Sequence, residues 1–131
     1  MADRTPGQLG QLFVRHVVAK DHDGLKSLFT SDVDFVGLTP RRTWDARGPV
    51  ELVDNVVFGA WFEPTDQIVD ASNVEVGQIA DRTHLTYRFL VNNPDGHWHV
   101  EQHCYFELTN GQVSWIRTLC SGFQPVVAPG D

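Results

Sequence analysis

The densest group of ionisable side chains in the sequence lies at residues 97–105, in the run His-Trp-His-Val-Glu-Gln-His-Cys-Tyr. On a β-strand alternate residues share a face, so one side would display His97, His99, Glu101, His103 and Tyr105. Imidazoles titrate near neutral pH and suit general acid–base catalysis. This face is therefore a candidate for general acid–base chemistry, in which Glu101 would orient or charge one of the histidines and Tyr105 would steady developing charge.

A metal site is the alternative use of these side chains. Three imidazoles and a carboxylate would supply enough nitrogen and oxygen ligands for a transition metal. However, His99 and His103 would lie about 13 Å apart along a strand. At that separation they could share one ion only with a ligand from another element. We therefore expect no metal ion and no other cofactor.

Three further candidates lie on the neighbouring strands. Tyr87 alternates with apolar residues and would share their face. Arg117 could steady charge in a site, meet Glu101 across the strands, or point outward. Cys120 would act as a nucleophile only with a base such as His103 beside it. Otherwise it would be a small buried side chain.

The composition excludes several functional classes. The chain has 131 residues and a net charge of −7, and its basic residues form no block, which argues against nucleic-acid binding. Its apolar stretches are too short to span a membrane, and its two cysteines are too few for a disulfide framework. We expect one cytoplasmic domain over residues 1–131, with a core at about 8–123 and loose ends at 1–6 and 125–131.

Hydrophobic periodicity and turn signals divide the chain into helices followed by strands. Helices are predicted at 8–20, 23–29 and 48–62, the last with Pro49 in its first turn. A short strand is predicted at 33–38 and a loop at 39–47. Turn sequences around Asn93 and Asn110 separate later strands, which are predicted at 66–79, 82–92, 97–109 and 112–123.

This order of elements resembles the nuclear transport factor 2-like superfamily, which includes ketosteroid isomerase, scytalone dehydratase and the SnoaL-like polyketide cyclases. Three segments carry the likeness: residues 20–35 (KDHDGLKSLFTSDVDF), 48–56 (GPVELVDNV) and 106–123 (FELTNGQVSWIRTLCSGF). The resemblance implies an α+β fold in which three N-terminal helices cover a cone-shaped, curved antiparallel sheet. It also implies an internal cavity for a small, largely apolar molecule.

The catalytic residues of ketosteroid isomerase are only partly matched. By this resemblance, the isomerase's helix-one tyrosine corresponds to Phe13, its general-base aspartate to Gly37 and its second acid to His103. Because two of the three groups are missing, the isomerase mechanism is not expected. His103 remains as the predicted acid or base of an isomerase, cyclase or dehydratase-like site in the cavity. Cys120 corresponds to an aromatic pocket position of the isomerase.

The walls of the cavity are predicted from aromatic residues. Phe13 and Phe35 are expected to line it, and a rim position of the family falls on Trp44, in the loop before the third helix. His16 lies one helical turn from Phe13 and is a further candidate ligand contact. Its alternative interpretation is a partly exposed histidine.

Two functions remain open from the sequence. The first is a cofactor-independent catalyst that uses His103, and the second is a module that binds a ligand or partner without chemistry. The later strands have apolar residues on both faces, and the helices can cover only one. We therefore expect a homodimer through the outer face of the sheet.

Overall fold

A computed structural model of the chain describes residues 4–126. Its first helix, α1 (Pro6–Ala19), begins with a capping box: the Thr5 hydroxyl accepts from the Gln8 backbone N–H at 3.1 Å, and the Gln8 side chain accepts from the Thr5 N–H at 2.8 Å. Thr5 and Pro6 are therefore ordered by the helix, although a loose end was predicted there. The remainder of that prediction, residues 1–3 and 127–131, lies outside the described residues.

Two more helices complete the covering layer. The short helix α2 (His22–Lys26) is capped by the Asp21 carboxylate and ends three residues earlier than predicted. The helix α3 (Val50–Trp61) is wound as a π-helix, and the Phe62 N–H continues this pattern by donating to the Val57 carbonyl at 2.8 Å. Its buried residues occupy one broad face: Leu52, Val53, Val56, Val57, Phe58 and Trp61.

Seven strands form one mixed sheet: β1 (Phe29–Thr39), β2 (Arg42–Arg47), β3 (Gln67–Ile79), β4 (Arg82–Asn93), β5 (Gly96–Thr109), β6 (Gln112–Cys120) and β7 (Gln124–Pro125). The sheet order is β2-β1-β6-β5-β4-β3, with β7 paired to β5. All neighbours are antiparallel except β1 and β6, which run parallel. Register shifts in β1, β3 and β5 bend the strands. The predicted α+β fold is confirmed.

Two predicted irregular segments are in fact strands. Residues 42–47 form β2, which pairs with β1 as a hairpin, although a loop was expected there. Gln124 and Pro125 pair with His99 and Trp98 of β5, and Pro125 is the first residue of the predicted loose C-terminal end. Both strands are short and lie beside strands whose pairing was easier to predict.

The helices cover the inner face of the sheet, where the hydrophobic core lies. On β4 the odd-numbered residues from Thr83 to Val91 are buried, while the even-numbered residues between them are only partly buried. On β5 the even-numbered residues from Val100 to Phe106 are buried in the same way. None of the helices within residues 4–126 has the length and apolar character needed to cross a membrane.

Candidate functional site

An internal cavity lies between the helices and the inner face of the sheet. Its volume is about 10 Å³, close to the space that one water molecule needs. Among the described residues that line it, Phe13 alone is partly exposed. The lining is aliphatic and aromatic apart from two uncharged polar side chains: Phe13, Val17, Phe29, Phe35, Leu52, Val57, Trp61, Phe62, Gln102, Ile116 and Thr118.

A network of buried, uncharged polar groups lies on the sheet side of this cavity and reaches its lining at Gln102 and Thr118. The Tyr87 hydroxyl donates to Gln102 Oε1, and Gln102 Nε2 donates to Cys120 Sγ at 3.4 Å. Cys104 Sγ lies 3.6 Å from the Tyr87 hydroxyl and 3.3 Å from Thr118 Oγ1. The network spans β4, β5 and β6, because alternate residues of adjacent strands meet on one face.

Burial keeps Tyr87 and Cys104 protonated at neutral pH. It raises the pKa of Tyr87 well above the usual value for a phenol. It also raises the pKa of the Cys104 thiol to about 11. The cavity wall therefore offers neutral hydrogen-bonding groups and no ionised one within the part of the chain that the structure describes.

Trp61 adds a further polar group, its indole N–H, on the helix side of the cavity. Its ring packs edge-on against Phe35 at 5.6 Å and against Trp44 at 6.4 Å, between ring centroids. Its indole N–H is buried and has no hydrogen-bond partner among residues 4–126. An unpaired buried N–H costs stability, so this donor distinguishes the cavity from an ordinary hydrocarbon core.

Four of the predicted site residues lie at or beside this cavity. Phe13 and Phe35 line it, as expected. Tyr87 and Cys120 are buried behind the lining and reach it through Gln102. Trp44 does not lie in a rim loop: it is on β2, donates its indole N–H to Thr39 Oγ1 at 2.8 Å, and packs against Trp61, which lines the cavity.

The predicted acid–base pair lies on the opposite face of the sheet. His103 and Glu101 alternate with the buried Gln102 and Cys104, so both point outward, and their side chains are 47% and 39% exposed. The prediction that His103 acts inside the cavity is wrong about its position, because the even-numbered residues of β5 are the ones that face the helices. Glu101 Oε1 accepts from two nitrogens of Arg88, at 2.9 and 3.2 Å. This contact, followed by that with His103, holds the pKa of Glu101 below its usual value.

Tyr105 and Arg117 also point outward, away from the cavity. Tyr105 stacks on His84 with 4.8 Å between ring centroids. Arg117 meets Asp34, through its carboxylate at 3.2 Å and its carbonyl at 3.0 Å, and not Glu101. Together they border an open groove of about 350 Å³, which we call the outer groove and which is lined by Val36, Leu38, His84, His103, Tyr105, Arg117, Thr118 and Leu119.

His16 belongs to neither location. It is partly buried at the end of α1, where its Nδ1 lies 3.3 Å from the carboxylate of Asp21. The cavity lining takes Phe13 and Val17 from α1 but not His16. The predicted ligand contact is therefore replaced by a contact between α1 and the cap of α2.

Gln102 and Trp61 are the residues that sequence reasoning missed. Gln102 lies among titratable neighbours on the other face of the strand, and Trp61 lies among the apolar residues of the predicted third helix. The signal was present for Gln102: it is the amide in an otherwise apolar alternation of Val100, Cys104 and Phe106. Gly37, which corresponds by resemblance to the isomerase's general-base aspartate, has no space for a side chain, because a Cβ would approach the rings of Phe35 and Trp61 to 2.7 and 2.9 Å.

The histidine-rich face of β5 does not assemble a metal site. Within residues 4–126, no group of three or more His, Cys, Asp or Glu side chains is arranged to hold a metal ion. Glu101 and His103 are adjacent at 3.4 Å, but Arg88 already occupies the carboxylate.

Neither protein-family models nor curated proteins match this sequence. Solved structures share its fold. A protein with a ketosteroid isomerase-like fold from Catenulispora acidiphila, in complex with trimethylamine, superposes with a TM-score of 0.71 at 11% identity, covering 89% of this chain and 88% of that one. An epoxide hydrolase from M. tuberculosis gives 0.65 at 10% identity, covering 86% and 80%.

A third structure is a nuclear transport factor 2-like protein of unknown function from Burkholderia xenovorans. It superposes with a TM-score of 0.66 at 15% identity and covers 95% of this chain and 87% of that one. At these identities the likeness establishes the fold. The chain has the nuclear transport factor 2-like fold that its sequence resembles.

Proposed function

We propose that this protein binds a small, largely apolar molecule in the internal cavity and holds it without acid–base chemistry. The observation that carries the proposal is the buried polar network of Tyr87, Gln102 and Cys104 on an aromatic-lined cavity. Such a network costs more than hydrocarbon in a core, so its presence is explained best by a bound molecule. A neighbour of the same fold, crystallised with trimethylamine, also holds a small organic molecule.

Binding is favoured over catalysis by the nature of the lining. A proton-transfer catalyst needs a group that titrates near neutral pH within reach of the substrate. The described residues of the lining carry an amide, a hydroxyl and an indole, but no carboxyl, imidazole or amino group. His103 and Glu101 are on the far side of the sheet, so they would reach only a molecule in the outer groove.

A ligand larger than water must displace a side chain, since the cavity measures about 10 Å³. Phe13 is the natural choice because it is partly exposed and packs by ring contacts, at 6.4 Å from Phe29 and 5.9 Å from Tyr87. Its movement would open the cavity beside α1 without disturbing the sheet.

The test is a titration with indane, a compact bicyclic hydrocarbon, followed by calorimetry. We expect saturable binding to the wild type and about tenfold tighter binding to Phe13→Ala, because the ligand no longer has to displace the ring. The matched control is Tyr105→Ala, an aromatic truncation on the outer face, which should leave the Kd unchanged. Absence of saturable binding, or equal Kd values for the two variants, would refute the proposal.

A second candidate function, self-association, follows from a separate observation on the outer face. Three large apolar side chains are exposed there: Leu38, Tyr105 and Leu119 are 46%, 43% and 58% accessible. Exposed apolar surface around a groove is typical of protein interfaces. We propose a second copy of the chain as the occupant of the outer groove.

The charges around the outer groove favour a second copy despite the net charge of −7. Each cation is paired with a carboxylate of the same face: Arg88 with Glu101 at 2.9 Å, Arg117 with Asp34 at 3.2 Å, and Arg82 with Glu107 at 3.9 Å. Because these charges cancel in pairs, two copies of this surface can approach with little electrostatic repulsion. The net negative charge is carried by the rest of the chain.

Light scattering after size exclusion tests this second proposal. A mass of twice 14.7 kDa is expected for the wild type, and a shift to monomer for Leu119→Asp, which places an unpaired charge in the interface. Val50→Asp, at an aliphatic residue 59% exposed at the start of α3, is the control and should remain dimeric. A monomeric wild type, or a dimer unaffected by Leu119→Asp, would contradict the proposal.

A further inference from the structure

Two side-chain hydrogen-bond donors in the cavity wall are incompletely satisfied. The buried indole N–H of Trp61 has no partner within the described residues. Gln102 Nε2 carries two hydrogens, and its partner there is the sulfur of Cys120 at 3.4 Å, a weak acceptor. Both side chains line the cavity, and they are 8% and 3% exposed. Of these two N–H groups in the cavity wall, one therefore has a weak acceptor and the other has no acceptor among the described residues.

The strongest acceptor of the network is already used. Gln102 Oε1 receives the Tyr87 hydroxyl, and the hydroxyl of Thr118 is engaged with the Cys104 thiol at 3.3 Å. Burial keeps both the phenol and the thiol neutral, since it raises the pKa of each. A ligand that brings an acceptor would find these two N–H donors, whose hydrogen-bonding capacity is unmet, whereas an unused second lone pair on an oxygen that already accepts one bond costs little.

The chemistry of the lining also argues against an anion. A buried carboxylate or phosphate without a counter-charge is strongly disfavoured, and the described lining contains no lysine, arginine or histidine. The complementary group is therefore an uncharged acceptor such as a ketone, ester or ether oxygen.

We infer that the cavity selects a small apolar molecule bearing one neutral hydrogen-bond acceptor, which receives the indole N–H of Trp61 with the amide of Gln102 as the second donor. This inference rests on the proposed binding function and specifies its ligand class. It makes Trp61 a specificity-determining residue, and it supplies an acceptor for a buried N–H that has none among the described residues.

The test compares indan-1-one with indane, which differ by the carbonyl group. The measured quantity is the ratio of the Kd of indane to the Kd of indan-1-one, in the wild type and in Trp61→Phe. The cost of removing the ketone from water is the same for both proteins. The change in this ratio therefore measures the contribution of the Trp61 hydrogen bond to ketone binding. We expect the ratio to fall about 5- to 10-fold in Trp61→Phe, the usual net effect of one hydrogen bond.

Phe13→Leu is the matched control, since it reshapes the lining without removing an N–H, and it should change both Kd values by the same factor. If both ligands bind the wild type but the ratio is unchanged in Trp61→Phe, the inference is overturned and the binding function stands. If neither ligand binds the wild type, the proposed function fails, and the inference fails with it.

A measurement on the wild type alone covers the case in which Trp61→Phe does not fold. The carbonyl stretching band of bound indan-1-one should lie at lower frequency than that of the same ketone in dry hydrocarbon, because a hydrogen bond weakens the C=O bond. A band at the hydrocarbon position would show an unpaired carbonyl and would overturn the inference.

Discussion

The two faces of strand β5 carry polar side chains of different kinds. On the inner face, Gln102 and Cys104 are buried and uncharged at neutral pH, and they belong to a network that borders the cavity. On the outer face, Glu101 and His103 are ionisable, about half exposed and linked to Arg88. Neighbouring residues of one strand thus belong to two separate surfaces, one sealed by helices and one open.

This difference shows why ionisable residues were a poor guide to the cavity. Charged groups remain where water or a counter-ion can reach them, and burial is tolerated best by neutral groups with partners. In a fold whose cavity lies inside the core, the residues that recognise a ligand are then amides, hydroxyls and indoles. The following predictions test the separation of the two faces.

The largest expected contrast is in stability. Leu85→Ala, on the inner face where the residue is 1% exposed, should lower the free energy of unfolding by about 2–5 kcal/mol, because it leaves a cavity in the core. Leu119→Ala, the same substitution on the outer face at 58% exposure, should change it by less than about 0.5 kcal/mol. Urea unfolding of both variants under monomeric conditions measures the two effects. Equal losses would mean that the two faces are not packed differently.

The buried thiol on the inner face should also make the free energy of unfolding decrease at alkaline pH. The pKa of Cys104 rises from 9.0 to about 11 in the folded chain, so the unfolded chain loses this proton first as the pH rises. Stability should therefore fall between about pH 9 and pH 11, by about 3 kcal/mol in total. Tyr87 adds a loss in the same direction at higher pH.

Urea unfolding at several alkaline pH values, under reducing conditions, measures this loss. Cys104→Ser, which does not titrate in this range, is the control and should show a clearly smaller decline. If both proteins lose stability in parallel, the buried thiol is not the cause.

The smallest expected effect is a change in the free energy of unfolding that depends on the outer face and is lost at acid pH. The pKa of Glu101 is lowered mainly by Arg88, so its contribution is present above the ordinary glutamate pKa and is lost as the pH falls through the lowered value. Because the pair is exposed, Glu101→Gln should cost under about 1 kcal/mol at about pH 7, and nothing once the pH lies below the lowered pKa or in about 1 M salt. Thermal unfolding checks this, and a larger or salt-independent cost would place the pair in a buried environment.

Most of the fold could be predicted from the sequence, because its signals are local. The apolar spacing of α1 and the turns at Asn93 and Asn110 were sufficient to locate α1 and the hairpins of β4, β5 and β6. β2 was missed because an edge strand buries little: Ala46 is buried and Trp44 only partly so, while the other residues of the strand are exposed. The π-helical winding of α3 has no local sequence signal of this kind.

Only some residues of the candidate site could be predicted, because the face that each strand residue occupies is not a local property of the sequence. Alternation separates the residues of β5 into two sets but does not say which set faces the helices. That depends on pairing with β4, where Leu85 lies opposite Cys104 and Phe89 opposite Val100. Tyr87, Phe13 and Phe35 were predicted correctly because they belong to apolar patterns. His103 was placed on the wrong face of the sheet, because the chemistry of a side chain does not show which face it occupies.

Two tryptophans, one on each side of the sheet, allow the central claim to be tested directly. Trp61 lines the cavity, and Trp115 lies on the outer face, with the guanidinium groups of Arg82 and Arg117 over its ring at 4.4 and 4.5 Å. In a titration with indane followed by nuclear magnetic resonance, we expect a saturable shift of the Trp61 indole N–H signal and no change at Trp115. A saturable shift at Trp115 with Trp61 unmoved would contradict that claim.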